Sequence, residues 1–141
     1  MKTLTVGALA LLPMTYLGPG ANTAALIGLA FALGLSALGD FFLALKDQQR
    51  FFVPGLAGFL VAHVAYVVVF IPHVATPEGA ALAVIIATVA AAGLFVSRLA
   101  PKLGNLKLHV FAYFTVIMAM VAASLSIREA PWILGAGAIL F

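Results

Sequence analysis

The chain has 141 residues, of which 65% are hydrophobic and only 8% charged, with a formal net charge of +3. A soluble domain carries about 25% charged residues, so there is too little polar surface here to cover a water-facing exterior, and the composition describes an integral membrane protein. Cysteine is absent, which excludes disulfides, thiolate metal sites and cysteine nucleophiles, and the Lys and Arg residues are scattered rather than gathered into the basic face that nucleic acid requires.

A spanning helix takes about 20 mostly apolar residues, with about 17 tolerated. In chain order, apolar runs predict spans near 3–17, 24–45, 52–72, 80–97 and 108–127, and a last stretch near 132–141. The predicted fold class is all-α: a polytopic transmembrane helix bundle of about five full spans plus a partial sixth, in a single domain over 1–141. The runs are continuous rather than alternating with period two, so strands are not expected. Turn-formers fill the connectors: Gly18, Pro19 and Gly20, then Lys46 to Arg50, Pro77, Pro101 with Gly104, and Pro131. All connectors are short, so successive helices should run antiparallel. The two end stretches are short for a crossing, and no small-x-small cleavage site precedes Asn22, which argues against a removed leader with Lys2 as its basic region.

Charge orients this bundle. If each span crosses once, Lys2, Lys46, Arg50, Arg98, Lys102 and Lys107 fall on one side and only Arg128 on the other. Such a bias places the Lys2 end in the cytoplasm.

Polar groups inside the apolar runs are the candidates for chemistry. Asp40 stands six residues before Lys46, about 9 Å inside the boundary at the rise of a helix. A carboxylate at that depth costs on the order of several kcal/mol unless paired, hydrated or protonated, so it should face the bundle interior or a water-filled cavity, where an acid is a natural proton donor. The blander reading has it just below the headgroups, capping a neighbour or pairing with Lys46. The same helix carries Gly28, Ala32, Ser36, Gly39 and Leu43 along one side, a mostly small stripe that lets backbones approach.

His63 lies mid-span, about 8 Å deeper than Asp40, and shares a helix face with Gly55, Phe59, Ala62, Tyr66 and Phe70. A neutral buried histidine bonded to a carbonyl is the competing reading. Tyr113 is expected at nearly the depth of Asp40, as a site residue or a member of the interfacial aromatic belt. His73, His109 and Trp132 sit at span ends and read as interfacial. The histidines lack metal-ligand spacing, and Ser36, Ser97, Ser124 and Ser126 lack a nucleophile-elbow context; no metal and no cofactor is called for.

Two stretches add a resemblance. Gly34-Leu35-Ser36-Ala37-Leu38-Gly39-Asp40 carries a Gly-Asp pair late in one helix. Phe52, Gly55, Leu56, Phe59, Ala62, His63 and Tyr66 form a Phe-x-x-Gly-Leu-x-x-Phe-x-x-Ala-His-x-x-Tyr pattern in the next. Together they resemble the YhhN-like family of membrane proteins, whose eukaryotic members are lysoplasmalogenases. Weaker matches follow at Val110, Tyr113, Ile117 and Met118. Lys2-Thr3-Leu4-Thr5 is similar to the Lys-Pro-Leu-Thr start of a family helix, with Thr3 in place of Pro. Members of that family have a further helix before this point and a second acidic motif, Ser-Asp, shortly after a Gly-x-x-Leu-Phe stretch. Gly137 to Phe141 matches that lead-in, so the sequence reads as a fragment lacking the first and last helices.

The resemblance implies hydrolysis of the vinyl-ether bond of a lysoplasmalogen in the membrane, with release of a fatty aldehyde. Asp40 and His63 are then the expected catalytic residues, and Tyr66, Tyr113 and Lys2 the expected substrate-binding ones. The partners are a lipid substrate and the bilayer, in a bacterial inner (plasma) membrane. Two other classes compete. A small transporter would use Asp40 and His63 as a proton or cation relay, although no internal repeat of the kind transporters show is visible. In a purely structural assembly partner Asp40 would be incidental.

Overall fold

The computed structural model describes residues 2–127 and residue 139, and among these it is helical throughout, with an isolated antiparallel bridge between Val74 and Ile127 as the sole extended pairing. Five α-helices follow in order: α1 (Lys2–Leu9), α2 (Thr23–Ala44), α3 (Gln48–Phe70), α4 (Gly79–Leu99) and α5 (Lys107–Leu125). Four of them, α2 to α5, are long and apolar enough to cross a membrane. The partial span expected near 132–141 lies, but for Ile139, outside the described residues.

Proline sets most of the helix ends. The span expected near 3–17 is broken: α1 stops at Leu9 and a short 3-10 helix follows over Leu12–Tyr16. Pro13 has no N–H to give the Leu9 carbonyl and its ring would strike that carbonyl, so the α-helix cannot continue past it. The same device closes α3, where the 3-10 turn Ile71–His73 contains Pro72, and α4, where Ala100–Lys102 contains Pro101. Pro54 lies inside α3 instead. The carbonyl it leaves without a donor belongs to Arg50, close to the exposed start of the helix, where the loss is tolerable. The starts of α2 and α3 are capped by side chains: the Asn22 side-chain oxygen accepts from the Ala25 amide, and Asp47 accepts from the Arg50 amide, each at 3.2 Å.

The chain divides into two compact units, Met1–Val69 and Phe70–Phe141. In the first, α1 lies along α2, with Gly7 facing the Ala37 methyl, and α2 pairs with α3 through small residues. A methyl group added at Gly58 would stand 3.3 Å from the Gly39 Cα and amide nitrogen; at Gly39 it would meet the Phe59 ring, at Gly55 the Leu43 side chain, and at Gly28 the Val69 side chain. These contacts run in opposite directions along the two helices, so α2 and α3 are antiparallel over their whole shared length. The stripe read from the sequence, Gly28 to Leu43, is the face that meets α3. Between lipid chains there is no hydrophobic drive to pair two apolar helices, so close backbone approach with its dispersion contacts does the holding.

In the second unit α4 and α5 form a hairpin. Met120, Val121, Ser124 and Leu125 are buried at the C-terminal end of α5. The Ala75 amide donates to the Ser126 carbonyl at 2.8 Å, tying the connector before α4 to the end of α5. Outward-facing side chains are large and apolar: Phe95 is 67% exposed, Val68 62% and Phe31 60%. In water such side chains would be sticky on either unit; against acyl chains they are the expected exterior. The protein is an integral membrane protein.

Candidate functional site

Polar side chains in these helices face a choice between bonding to their own backbone and finding a partner across the seam. The serines and threonine do the former. Ser97 donates to the Leu94 carbonyl, Thr115 to Phe111, Ser124 to Val121 and Ser126 to Ala122, all between 2.7 and 2.9 Å. Back-bonding of this kind hides a hydroxyl from lipid, and it leaves these hydrogens committed rather than poised for nucleophilic attack.

Ser36 differs because it sits, fully buried, at the centre of the α2–α3 seam. Its hydroxyl hydrogen goes to the Ala32 carbonyl at 3.1 Å, and its oxygen lies within hydrogen-bonding reach of the Tyr66 phenol. With the serine hydrogen already used, the phenol is the donor and the serine oxygen the acceptor. His63 is 2% exposed on the adjoining turn of α3, and its ring meets Tyr66 edge-on at 6.4 Å between centroids. His63 Nδ1 lies 2.6 Å from the Phe59 carbonyl. A carbonyl can only accept, so Nδ1 carries the proton and, in the neutral ring, Nε2 keeps the lone pair. Ser36, Tyr66 and His63 are thus three mutually oriented polar groups in an otherwise apolar seam.

Asp40 is half-buried one helical turn beyond Ser36 on α2, at the level where Gly39 abuts Gly58. His63 is five residues beyond Gly58 along α3, or about 7.5 Å further along the axis. The acid and the imidazole therefore lie at two different levels of the α2–α3 pair, with Ser36 between those levels along α2. The backbone of Lys2 begins α1; its side chain is outside the described residues. Tyr113 is half-buried on α5, in the second unit. Asp47, the nearest other carboxylate in sequence, is occupied as the cap of α3. Sequence reasoning passed over Ser36 as a site residue. The signal was present in its i, i+4 spacing from Asp40 on the small-residue face.

The family resemblance read from the sequence is matched by comparison with known proteins. The model of the YhhN family matches residues 1–141. The chain belongs to the YhhN family. Two curated relatives, proteins of Mycobacterium bovis and Mycobacterium tuberculosis each described as a lysoplasmalogenase, are 37% identical to it over 115 residues, covering 78% of this chain and 44% of the relative. This YhhN chain thus spans less than half the length of the curated relatives it matches. No solved structure matches it.

The shared hydroxyl pair in this YhhN protein can be measured. Interhelical hydrogen bonds inside membranes average about 0.6 kcal/mol, with about 1.7 kcal/mol as the largest found. A double-mutant cycle of Ser36→Ala and Tyr66→Phe, read by thermal unfolding in detergent, should give a coupling in that range. A coupling indistinguishable from zero means that the two hydroxyls act independently.

Proposed function

We propose that this YhhN chain forms part of a membrane-embedded hydrolase that cleaves the vinyl-ether bond of lysoplasmalogen-like lipids, with Asp40 as the acid. The observation that carries the reading is a half-buried carboxylate in the apolar α2, next to the Gly39 that meets α3, in a chain 37% identical over 115 residues to proteins described as lysoplasmalogenases. A carboxyl group there meets a lipid at the depth of its ether linkage rather than of its headgroup, because it stands four residues, about 6 Å, inside the end of α2 at Ala44, with Lys46 in the turn beyond.

The chemistry suits a lone, partly dehydrated acid. An enol ether is inert to bases and is activated by proton transfer to the vinyl carbon β to oxygen, the one that carries the alkyl chain. In the proposed first step the Asp40 carboxylic acid gives its proton to that carbon, and the C=C electron pair forms the new C–H bond. The ether oxygen shares its lone pair with the adjacent carbon, giving an oxocarbenium ion beside the newly formed carboxylate. Water adds to the cationic carbon and loses a proton, and the resulting hemiacetal collapses. Its C–O bond to glycerol breaks, the glycerol oxygen takes a proton, and the aldehyde leaves. Water is the only co-reactant. His63, with its Nε2 lone pair, and Tyr66 are candidates to order the water or the lipid around the acid. Tyr113 and Lys2 are the remaining candidates for substrate binding. The Lys2 end and the α2–α3 turn are assigned to the cytoplasmic side of a bacterial inner membrane, because positively charged connectors are retained there.

The test is aldehyde release from a lysoplasmalogen by the product of the full natural reading frame, purified in detergent. Release that a saturated ether lipid does not give supports the reading. A folded protein that releases none sinks it and makes proton or solute flux through reconstituted vesicles the next measurement. His63→Ala is expected to lower the rate about tenfold or more, the lower part of the range for acid–base assistance; an unchanged rate reduces His63 to a packing residue.

A further inference from the structure

The turn that joins α2 to α3 carries more than a topological charge. Asp40 is followed directly by Phe41 and Phe42, and the helix ends two residues later at Ala44. Phe42 stacks on Phe51 of α3, with 6.1 Å between ring centroids and 16° between planes, and Phe41 meets Phe42 edge-on at 5.9 Å. The Arg50 guanidinium lies 5.5 Å from the centre of the Phe51 ring. Lys46 and Arg50 are both exposed. The one acid between them, Asp47, is folded back onto the Arg50 amide as the cap of α3.

We propose that this turn is the phosphate-binding end of the lipid site, in which Lys46 and Arg50 hold the phosphodiester of a lysophospholipid. The proposal rests on the reading of Asp40 as the acid of an ether-lipid hydrolase. Its geometry is a matter of reach. In a 1-alkenyl lysophospholipid about seven covalent bonds separate the carbon that takes the proton from phosphorus, roughly 8 Å when extended at the pitch of a covalent chain. Asp40 stands four residues, about 6 Å, before the end of α2 at Ala44, and Lys46 follows two residues later in the turn, so a lipid whose vinyl carbon meets Asp40 brings its phosphate to the level of that turn. The exposed Arg50 guanidinium keeps a cation–π contact with the neighbouring Phe51 ring, which favours one placement of its fork of donors toward phosphate oxygens. The stacked phenylalanines offer an apolar platform between acid and cations, where the glycerol carbons pass.

The competing explanation is that these charges only fix orientation, as basic connectors do generally. A saturated 1-O-alkyl lysophosphatidylcholine, which cannot be hydrolysed by this route, separates the two, with the corresponding 1-O-alkylglycerol as the ligand lacking phosphate. Binding is measured on the full-length protein in detergent micelles. Arg50→Gln should weaken the phospholipid at least tenfold and leave the alkylglycerol unchanged, Lys46→Gln should act in the same direction, and Arg50→Lys should recover part of the loss. Arg98→Gln, which removes one positive charge from the second unit, should change neither ligand. The proposal is overturned if the alkylglycerol binds as tightly as the phospholipid, or if Arg98→Gln weakens the phospholipid as much as Arg50→Gln does. The two readings fail separately. Arg50-dependent binding without aldehyde release from the alkenyl lipid removes the hydrolase and keeps the phosphate site. Aldehyde release indifferent to phosphate and to Arg50 removes the phosphate site and keeps the hydrolase.

Discussion

Asp40→Asn should lower aldehyde release by about a hundredfold or more while the protein melts at the same temperature or slightly higher. The substitution keeps the shape of the side chain and removes only its capacity to exchange a proton, and general acid assistance is worth about 10²–10⁴ in rate. The stability half of the expectation has a separate cause. A carboxylate held partly out of water on an apolar helix costs free energy that a neutral amide of the same size largely avoids, so losing it does not harm the fold. A rate loss accompanied by a large fall in melting temperature would mean that Asp40 holds the seam together, and would leave the acid of the reaction unassigned. A folded variant with full activity would move the proton donor elsewhere.

The second large effect concerns the seam itself. Gly58→Leu should separate α2 from α3 and leave little folded protein, whereas Gly34→Leu on the neighbouring helix should be tolerated. A methyl group at Gly58 stands 3.3 Å from backbone atoms of Gly39 and 3.6 Å from the Leu35 carbonyl, while one at Gly34 meets nothing within 4 Å. Backbone cannot rotate aside as a side chain can. Even Gly58→Ala therefore carries an overpacking cost of about 1–3 kcal/mol, against which the better helix propensity of alanine returns about 1 kcal/mol. Alanine should be mildly destabilising, and leucine, with three more carbons and no room for them, should exceed what the pairing can absorb. At Gly34 the added atoms enter open space on an apolar exterior. Thermal unfolding followed by size-exclusion profile in detergent reads all three. Equal behaviour of Gly58→Leu and Gly34→Leu would contradict the close α2–α3 approach.

Much of this was visible before any fold was known, and the reasons are local. Charge and apolar content alone require a membrane, and runs of helical length give the helices α2 to α5 within a few residues of their observed bounds. Proline acts on the turn that contains it, so the ends of α3 and α4 could be anticipated. The break in the first stretch should have been, since Pro13 sits inside the run taken for a span. The α2 stripe was legible because small residues recur there at helical spacing on one face, with larger ones elsewhere.

Across the seam the same spacing logic gives a shared face, Gly55, Phe59, Ala62, His63 and Tyr66, but not the register in which it meets α2. On α3, small residues occur on several faces, among them Gly55, Ala57, Gly58, Ala62 and Ala65, and lipid is as apolar as a protein interior, so hydrophobicity does not separate an inward from an outward side. Which pair of glycines touches is decided by the summed fit of both helices. The register that sets Gly39 on Gly58 is what puts Tyr66 at Ser36 and places His63 deeper than Asp40. The sequence by itself thus determined the solvent this chain folds in, its helices, and the residues that do not belong in lipid. Only the tertiary structure decided which of those residues meet, because contact depends on register, and register is a property of two surfaces rather than of either strand of sequence alone.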